Sequence, residues 1–271
     1  MTAEAGAPAK TATTAHAAAE AAGEARVRLD RLMVERGLVA TRSAAQEAIR
    51  RGAVRVGGTA AAKTGLAVPR SAEIMIEGPR GYVSRGALKL IAALDHFGLD
   101  PAGRRTLDLG ASTGGFTEVL LERGAAHVVA VDVGQGQLAP ALAGDRRVTV
   151  LEGRNVRTLN AADLPYAPDL VTADLSFISL KLALPPALAL AAAGAIGVFL
   201  VKPQFEAGRE ALGKGGIVRD PAVVARVRDD LAGWLGRQPG WRVLGAMASP
   251  IAGGDGNAEH LLAAVKDRGE P

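Results

Sequence analysis

From residue 105 onward the chain alternates short apolar runs with helix-forming stretches, and this alternation limits the fold more than any other feature. Repeated strand–helix units predict a mostly parallel α/β sheet with helices on its faces. The predicted strands are Arg105–Leu109, His127–Val131, Arg147–Leu151, Asp169–Ala173, Ile196–Val201, Trp241–Met247 and Leu261–Val265. The predicted helices are 85–97, 115–124, 178–192 and 221–236. Only a loop separates the last two strands, which predicts an antiparallel hairpin that closes a seven-stranded sheet.

One stretch of this region could be mistaken for a membrane span. Residues 182–201 carry no charge, and 20 residues are enough to cross a bilayer. Pro185-Pro186 and Gly194 interrupt the stretch, so a helix followed by a buried strand is the better interpretation. The N-terminus also lacks a basic segment followed by an apolar one, so we expect no signal peptide and a cytoplasmic protein.

Charge and residue usage divide the chain further. Residues 26–80 hold eleven Arg and Lys against five Asp and Glu, a net +6, whereas residues 81–271 hold twenty of each sign. A local basic excess favours a polyanionic partner, although an ordinary solvated arginine face stays open. Residues 1–25 are alanine-rich, carry −2 and predict a disordered tail. No cysteine occurs, and the four histidines lack metal-ligand spacing, so we expect no metal site.

The basic segment has a helical pattern of its own. A helix over 28–37 places Leu29, Leu32 and Met33 on one face, and Ser43 with Gln46 has capping-box spacing for a second helix ending at Arg51-Gly52. Strands are predicted at 53–56 and 73–77. The string RLDRLMVERGLVATRSAAQEAIRRGAVRVGG resembles the S4-type RNA-binding domain, a small α+β module of a ribosomal protein, pseudouridine synthases and tyrosyl-tRNA synthetases. This resemblance implies RNA-phosphate contacts by arginines, and our RNA-binding candidates are Arg28, Arg31, Arg42, Arg50, Arg51, Arg55 and Arg85.

The string TLDLGASTGGFTEVL follows as strand, glycine loop and helix. Its glycines allow a tight turn and close approach to a ligand, and Asp132, 24 residues after Asp108, is placed to accept the hydroxyls of an adenosine ribose. The G-x-x-x-G-G spacing departs from the dinucleotide fingerprint, and no Gly-Lys-Ser/Thr ending indicates a phosphate loop. A glycine-rich turn without a ligand stays open at this point.

An α/β-hydrolase is a second interpretation of the same loop. Gly110–Gly114 matches the G-x-S-x-G nucleophile elbow, and an Asp and His260 follow Ser112 in triad order. Against it, the elbow would follow the first strand of the sheet, no oxyanion loop precedes it, and Asp132 would have no role.

Two charged residues end neighbouring predicted strands. Asp174 follows strand 169–173 and Lys202 follows strand 196–201, and the carboxyl ends of parallel strands are where α/β sheets bind ligands. A lysine with a carboxylate beside it can activate a hydroxyl, which is a poor nucleophile at neutral pH. An ion pair without chemistry is the alternative for this pair.

Five motifs, VSRGALKL, LDLGASTGGFTEVLL, DLSFISL, VKPQFE and GNAEHLL, together resemble the TlyA family of ribosomal RNA 2′-O-methyltransferases, whose catalytic domain is FtsJ-like. The resemblance spans about residues 26–266 and implies a Rossmann-like class I methyltransferase fold, S-adenosyl-L-methionine as cofactor, and ribosomal RNA or ribosomal subunits as partner. It places the family's tetrad on Lys89, Asp174, Lys202 and Glu259. Lys202 would be the base or hydroxyl activator, Asp174 its partner, and the other two would position the ribose.

The same resemblance implies domain bounds and a cofactor site. We expect a tail over 1–25, an S4-like domain over 26–79, a linker over 80–83 with Tyr82 as its aromatic residue, and a methyltransferase domain over 84–271. The expected cofactor-binding residues are Asp108, Gly110, Ala111, Ser112, Gly114, Gly115, Phe116, Asp132, Val133, Asn155 and Val156. Other hypotheses are an RNA-binding protein without methyl transfer and, because relatives are named hemolysins, a membrane-active protein, for which no lytic amphipathic helix is evident.

Overall fold

The computed structural model describes residues 26–39, 42–50, 53–61, 63–76 and 82–268. The chain divides into two compact units, Met1–Arg80 and Gly81–Pro271, and each has hydrophobic core clusters of its own. The tail predicted over residues 1–25 lies outside the described residues, as do Arg51 and the first half of the predicted linker.

The first unit combines two helices with two small antiparallel sheets. Its elements are β1 (Arg26–Arg28), α1 (Leu29–Glu35), α2 (Arg42–Arg50), β2 (Val54–Val56), β3 (Thr59–Ala60), β4 (Ala67–Pro69) and β5 (Ile74–Ile76). Strand β1 pairs with β4, and β2 lies between β3 and β5. Leu29, Leu32 and Met33 are buried as the helical pattern predicts. Gly37 follows α1 with φ +67°, a conformation that glycine adopts without strain.

The start of α2 differs from the sequence expectation. The helix begins at Arg42, so Ser43 lies inside it and does not precede it as a cap. The Gln46 amide donates to the Asp30 carboxylate at 2.9 Å. Gln46 therefore serves a contact between the two helices, which the capping-box spacing could not indicate.

The second unit is the predicted α/β sheet. Its elements are α3 (Gly86–Phe97), β6 (Arg105–Leu109), α4 (Gly115–Glu122), β7 (His127–Asp132), α5 (Pro140–Ala143), β8 (Val148–Glu152), β9 (Leu170–Ala173), α6 (Leu180–Ala183), α7 (Pro185–Leu190), β10 (Ile196–Val201), α8 (Pro221–Leu235), β11 (Trp241–Ala248) and β12 (His260–Lys266). Every predicted strand is present with bounds that agree to within one residue. Strands buried on both faces are continuous apolar runs, which makes them easy to recognise.

The sheet has the strand order β11-β12-β10-β9-β6-β7-β8. Strand β12 runs antiparallel to both of its neighbours, and the other pairs are parallel. The chain starts at β6, proceeds outward through β7 and β8, and then returns to β9 on the other side of β6. The carboxyl ends of β6 and β9 therefore form the point where the strand order reverses, which is where open α/β sheets bind ligands.

The helix predicted over 178–192 is wrong as a single element. The structure has two short helices, α6 and α7, with Pro185 as the first residue of α7. A proline ring clashes with the preceding turn of a helix and has no N–H to donate, so a continuous helix cannot pass through Pro185-Pro186. Among the residues that the structure describes, no helix combines the length and apolar character needed to span a bilayer.

A candidate active site at the carboxyl edge of the sheet

The glycine loop between β6 and α4 packs tightly against the end of β9. Gly110 and Gly114 have φ of 77° and 102°, and Ser112 between them has φ 49°. A Cβ atom on residue 110 would lie 2.5 Å from the backbone oxygen of Asp174. Glycine is therefore required at position 110 for both its conformation and its size.

Asp132, at the end of β7, holds this loop in place. Its carboxylate accepts hydrogen bonds from the backbone N–H of Ser112 at 2.9 Å and of Gly134 at 2.8 Å. The segment after Asp132 is held in turn by Glu152, whose carboxylate accepts from the backbone N–H groups of Gly136, Gln137 and Leu138. These bonds, that from Gly136 foremost, lower the pKa of Glu152.

The residues around the loop fit an adenosyl group. Each carboxylate oxygen of Asp132 can accept a second hydrogen bond, so Asp132 can accept hydrogen bonds from the ribose hydroxyls of a ligand. Val133 is 75% exposed, an unusual state for a valine, and its side chain offers an apolar surface next to that carboxylate. The left-handed glycine turn allows a ligand to approach the backbone closely.

Asp108 has a different position from the one expected of a cofactor ligand. Its side chain is fully buried, and it accepts hydrogen bonds from the hydroxyls of Thr117 at 2.7 Å and Thr172 at 2.9 Å. Burial raises its pKa to about 6. Asp108 thus ties α4 and β9 to β6 from beneath the loop, and its carboxylate does not reach the open surface.

The remaining members of the predicted cofactor set divide between surface and core. Gly115 is required because a Cβ there would collide with the Ser84 hydroxyl. Asn155 caps a short 3₁₀ turn by accepting from the Arg157 backbone N–H at 3.0 Å. Buried members of the set are Ala111, Phe116 and Val156, whose side chains belong to the core clusters.

The two residues predicted at neighbouring strand ends form an ion pair. Lys202 Nζ lies 2.6 Å from the Asp174 carboxylate and donates a second hydrogen bond to the Ser176 hydroxyl at 3.0 Å. Strands β9 and β10 are adjacent and parallel, so both residues emerge at the same edge of the sheet. The lysine ammonium therefore sits beside the glycine loop with a carboxylate that can balance its charge.

The other two members of the predicted tetrad form a second ion pair. Lys89 Nζ on α3 lies 2.5 Å from the Glu259 carboxylate, which comes just before β12. Gly253 makes room for Glu259, because a Cβ on residue 253 would lie 2.6 Å from a carboxylate oxygen. Residues 170 positions apart in the sequence are thereby brought into contact.

Helix α3 brings the two ion pairs together. A Cβ on Gly86, in its first turn, would lie 3.5 Å from the Asp174 carboxylate and 3.1 Å from the Ser84 hydroxyl. Lys89 is three residues further along the same helix and so projects from the same face. Ser84, Ser176 and Gly253 are site residues that were not predicted, although the first two lie within the motifs VSRGALKL and DLSFISL.

Phe177 is a further residue that sequence reasoning missed. It is 90% exposed, has φ 65°, and lies three residues after Asp174. Its ring packs against that of Phe205 with centroids 5.1 Å apart. A bulky residue in the left-handed region is strained, and such strain concentrates at functional sites.

The hydrolase alternative lacks its triad. His260 lines a cleft beside α8, and no described hydrogen bond joins a histidine to the Ser112 hydroxyl. The strained backbone of Ser112 is accounted for by its N–H bond to Asp132. Across the described part of the chain, no three His, Asp or Glu side chains cluster as metal ligands would.

The predicted RNA-binding arginines of the first unit are arranged around carboxylates. Asp30 is buried and accepts from Arg28, Arg42 and Gln46, and the bond from Arg28 foremost holds its pKa well below the usual range. Both arginine side chains remain at least half exposed, so they stay available to another anion.

The other candidate arginines have varied surroundings. Arg31 pairs with Glu35 at 3.0 Å, and Glu35 also binds Arg70. Arg55 donates to the Gly58 carbonyl at 2.9 Å. Arg85, in the second unit, precedes α3 and has a buried Nε atom without a partner among the described residues. The Arg50 side chain and all of Arg51 lie outside the described parts.

Comparison with known proteins identifies the family. The FtsJ-like methyltransferase family model matches residues 82–266, and the S4 domain model matches residues 27–74. The 16S/23S rRNA (cytidine-2′-O)-methyltransferase TlyA of Mycobacterium tuberculosis is 49% identical over 240 residues, which cover 88% of this chain and 89% of that protein. The chain belongs to the TlyA family of FtsJ-like methyltransferases.

Two further relatives align with nearly the whole chain. Hemolysin A of Brachyspira hyodysenteriae is 35% identical over 87% of this chain and 98% of its own. A solved structure of a candidate hemolysin from Streptococcus thermophilus is 40% identical, covers 90% of both chains and superimposes with a TM-score of 0.73. The predicted fold and family are confirmed, and as an FtsJ-like methyltransferase the protein uses S-adenosylmethionine as methyl donor.

Proposed function

We propose that this protein transfers a methyl group from S-adenosylmethionine to the 2′-hydroxyl of a cytidine ribose in ribosomal RNA. The observation that carries the proposal is the Lys202–Asp174 ion pair at the carboxyl edge of the sheet, where the backbone of Asp174 packs against Gly110 of the glycine loop. The activity printed for the TlyA relatives from Mycobacterium tuberculosis and Campylobacter jejuni, cytidine 2′-O-methylation of rRNA, supports it.

Methyl transfer to a ribose hydroxyl requires a base next to the methyl donor. The sulfonium donor supplies an electrophilic methyl group, and a ribose hydroxyl is too weak a nucleophile to attack it unaided. Lys202 first gives one proton to the Asp174 carboxylate 2.6 Å away or to solvent, because the ion pair holds it as an ammonium. The neutral Nζ then takes the hydroxyl proton as the new oxygen–carbon bond forms and the methyl–sulfur bond breaks, which leaves the donor as a neutral thioether. The Ser176 hydroxyl fixes the direction of the lysine side chain.

The second ion pair positions the substrate. Lys89 and Glu259 are almost inaccessible to water, and by holding α3 against the start of β12 they fix the side of the site that receives the target ribose. On the donor side, Asp132, Val133 and the loop 110–114 hold the adenosyl group. Asp108 and Phe116 support this loop from beneath, so we assign them no direct contact.

The RNA substrate is held by the first unit as well. Arg28, Arg31 and Arg42 present guanidinium groups to solvent, and an S4 domain is an RNA-binding module. We propose that intact ribosomal subunits are the substrates and that the protein acts in the cytoplasm, where such subunits are found. The domain bounds predicted from the sequence, 26–79 and 84–271, remain part of this proposal.

Methyl transfer to unmodified ribosomal subunits tests the proposal. The protein is incubated with radiolabelled donor and each subunit, beside Lys202→Ala and, as a control, Lys181→Ala, whose lysine forms an ion pair with Asp230 on the surface. We expect label in 2′-O-methylcytidine after digestion to nucleosides, lost in Lys202→Ala and retained in Lys181→Ala. Label in a base, or label that survives Lys202→Ala, would contradict the proposal.

A further inference from the structure

A cleft of about 290 Å³ lies beside α8, and the proposed reaction does not use it. Its walls are apolar and are formed by Val218, Pro221, Val224, Ala225 and Ala258. Residues 221, 224 and 225 recur at helical spacing, so one face of α8 forms one side of the cleft. We call this space the α8 cleft.

The rim of the α8 cleft is cationic. Arg219 and Arg228 line it together with His260. Arg219 is exposed and makes no ion pair with any residue that the structure describes, whereas Arg228 pairs with Asp229 at 2.7 Å. The other carboxylate nearby, Asp220, is engaged in capping α8 through the Ala222 backbone N–H.

His260 adds an unused hydrogen-bonding atom. Its Nδ1 is buried and has no partner within the described part of the chain. Burial, together with Arg228, lowers the pKa of His260, which favours the neutral imidazole. A buried polar atom without a partner costs free energy unless a ligand or water satisfies it.

The α8 cleft lies at the same edge of the sheet as the proposed active site. His260 directly follows Glu259 of the second ion pair, and it is opposite Val201, the residue before Lys202, in the sheet register. Side chains of successive strand residues point to opposite faces, so the cleft opens on the α8 side while Glu259 faces α3.

Residues 209–218 come just before the residues that line the cleft on α8. Residues 216–218 are held by Asn257, which accepts from the Val218 backbone N–H at 2.9 Å and donates to the Gly216 carbonyl at 3.2 Å. Arg209, Glu210 and Lys214 in the preceding segment are exposed, which leaves a small basic excess there. Proteins that bind single-stranded nucleic acid place Lys and Arg against its phosphates and side chains against its bases. Arg219 and Arg228 at the rim and the apolar walls of the cleft provide both kinds of contact.

We propose that the α8 cleft binds one nucleotide of the same RNA strand that carries the target ribose. The base lies between the apolar walls and hydrogen-bonds to His260 Nδ1, and its phosphate meets Arg219 and Arg228. The proposal rests on the proposed function, because it supplies a second contact by which that RNA strand is held across the edge of the sheet.

Two variants of the full-length protein test the cleft. Ala225→Phe fills it, and Arg219→Ala removes the unpaired cation. Arg226→Ala is the matched control, because Arg226 is exposed on the same helix and does not line the cleft. We expect the affinity for unmodified ribosomal subunits to fall about tenfold in Ala225→Phe, and Arg219→Ala to reduce the salt slope of binding by about 1. Donor binding and thermal unfolding should match those of the wild type, as should every property of Arg226→Ala.

Photocrosslinking identifies the occupant. RNA carrying 4-thiouridine is crosslinked to the protein, and we expect labelled peptides from residues 218–228 that disappear in Ala225→Phe. Methyl transfer without this crosslink would overturn the inference and leave the proposed function standing. The crosslink without methyl transfer would support the cleft and refute the proposed function. Loss of the crosslink on adding millimolar cytidine 5′-monophosphate, with RNA affinity unchanged, would identify a free nucleotide as the occupant and overturn the proposal.

Discussion

The two lysine–carboxylate pairs of the site have the same chemistry but different access to water. The side chains of Lys89 and Glu259 are 10% and 2% exposed, whereas those of Lys202 and Asp174 are 12% and 24% exposed. A closed pair can hold a substrate group in one place, but a reacting hydroxyl must reach the lysine nitrogen past its carboxylate partner. The more open pair, which also lies against the glycine loop, is therefore the one to which we assign proton transfer.

Removing the lysine of the open pair has the largest expected effect. Lys202→Ala should lower kcat for methyl transfer by about 10²- to 10⁴-fold, the usual contribution of a positioned base. Lys202→Arg should not restore the rate, because a guanidinium group stays protonated and cannot accept the hydroxyl proton. Single-turnover rates at saturating donor measure this effect. Activity of Lys202→Arg near that of the wild type would show that only positive charge is needed.

Breaking the closed pair should mainly affect stability. Glu259→Gln leaves the buried Lys89 ammonium without a counter-charge, which costs about 3–5 kcal/mol in the free energy of unfolding. The double variant Lys89→Met with Glu259→Leu should recover most of this loss while methyl transfer remains impaired. Denaturant unfolding of the three proteins provides the comparison. Equal stability of Glu259→Gln and the wild type would mean that water reaches this pair.

Asp108 is a buried carboxylate that, unlike those of the two ion pairs, has no lysine partner. The pH dependence of the free energy of unfolding should therefore show its burial. Its pKa of about 6 in the folded protein lies above the ordinary aspartate pKa of 3.8, so the unfolded chain loses this proton first as the pH rises. Stability from this group therefore falls between about pH 4 and pH 6, by about 3 kcal/mol in total. Asp108→Asn should lack this fall, so its stability relative to the wild type should rise over that range and then level off. A constant difference from pH 4 to pH 7 would contradict the assignment.

Phe177 lies beside the open pair, and its removal has the smallest expected effect. An exposed aromatic ring is a surface on which an RNA base can stack, so Phe177→Ala should raise KM for the RNA about five- to tenfold with little change in kcat. Leu182→Ala, which removes another exposed apolar side chain of the same unit, is the control. Initial rates over a range of subunit concentrations separate KM from kcat. A change in kcat alone would place Phe177 in the chemical step.

Much of the fold could be predicted from the sequence, and the failures have physical causes. The seven strands were recognisable because buried parallel strands are uninterrupted apolar runs. The single helix predicted over 178–192 is wrong because Pro185-Pro186 divides it into α6 and α7. The family resemblance places Asp108 among the cofactor residues, and its place in the motif does not reveal that two threonine hydroxyls enclose it.

Of the two ion pairs, the sequence predicted the contact between Asp174 and Lys202 from neighbouring strand ends, but it did not predict the contact between Lys89 and Glu259. The motifs supplied Lys89, Asp174, Lys202 and Glu259, but contact between residues 89 and 259 depends on how α3 packs against the end of β12. Phe177 lies within the motif DLSFISL, but nothing in the sequence marks a phenylalanine that adopts a positive φ. Tertiary packing decides both features.

The contact between Gly110 and Asp174 limits how this enzyme could be redesigned for bulkier methyl-donor analogues. Position 110 already holds the smallest residue, and a Cβ there would meet the backbone oxygen of Asp174 at 2.5 Å. More space at this side of the donor site could therefore come only from moving Asp174, whose carboxylate pairs with Lys202. Val133 is 75% exposed, so replacing its side chain with a smaller one would displace no packed residue. Engineered space for a larger donor must therefore be created at Val133 and not in the glycine turn.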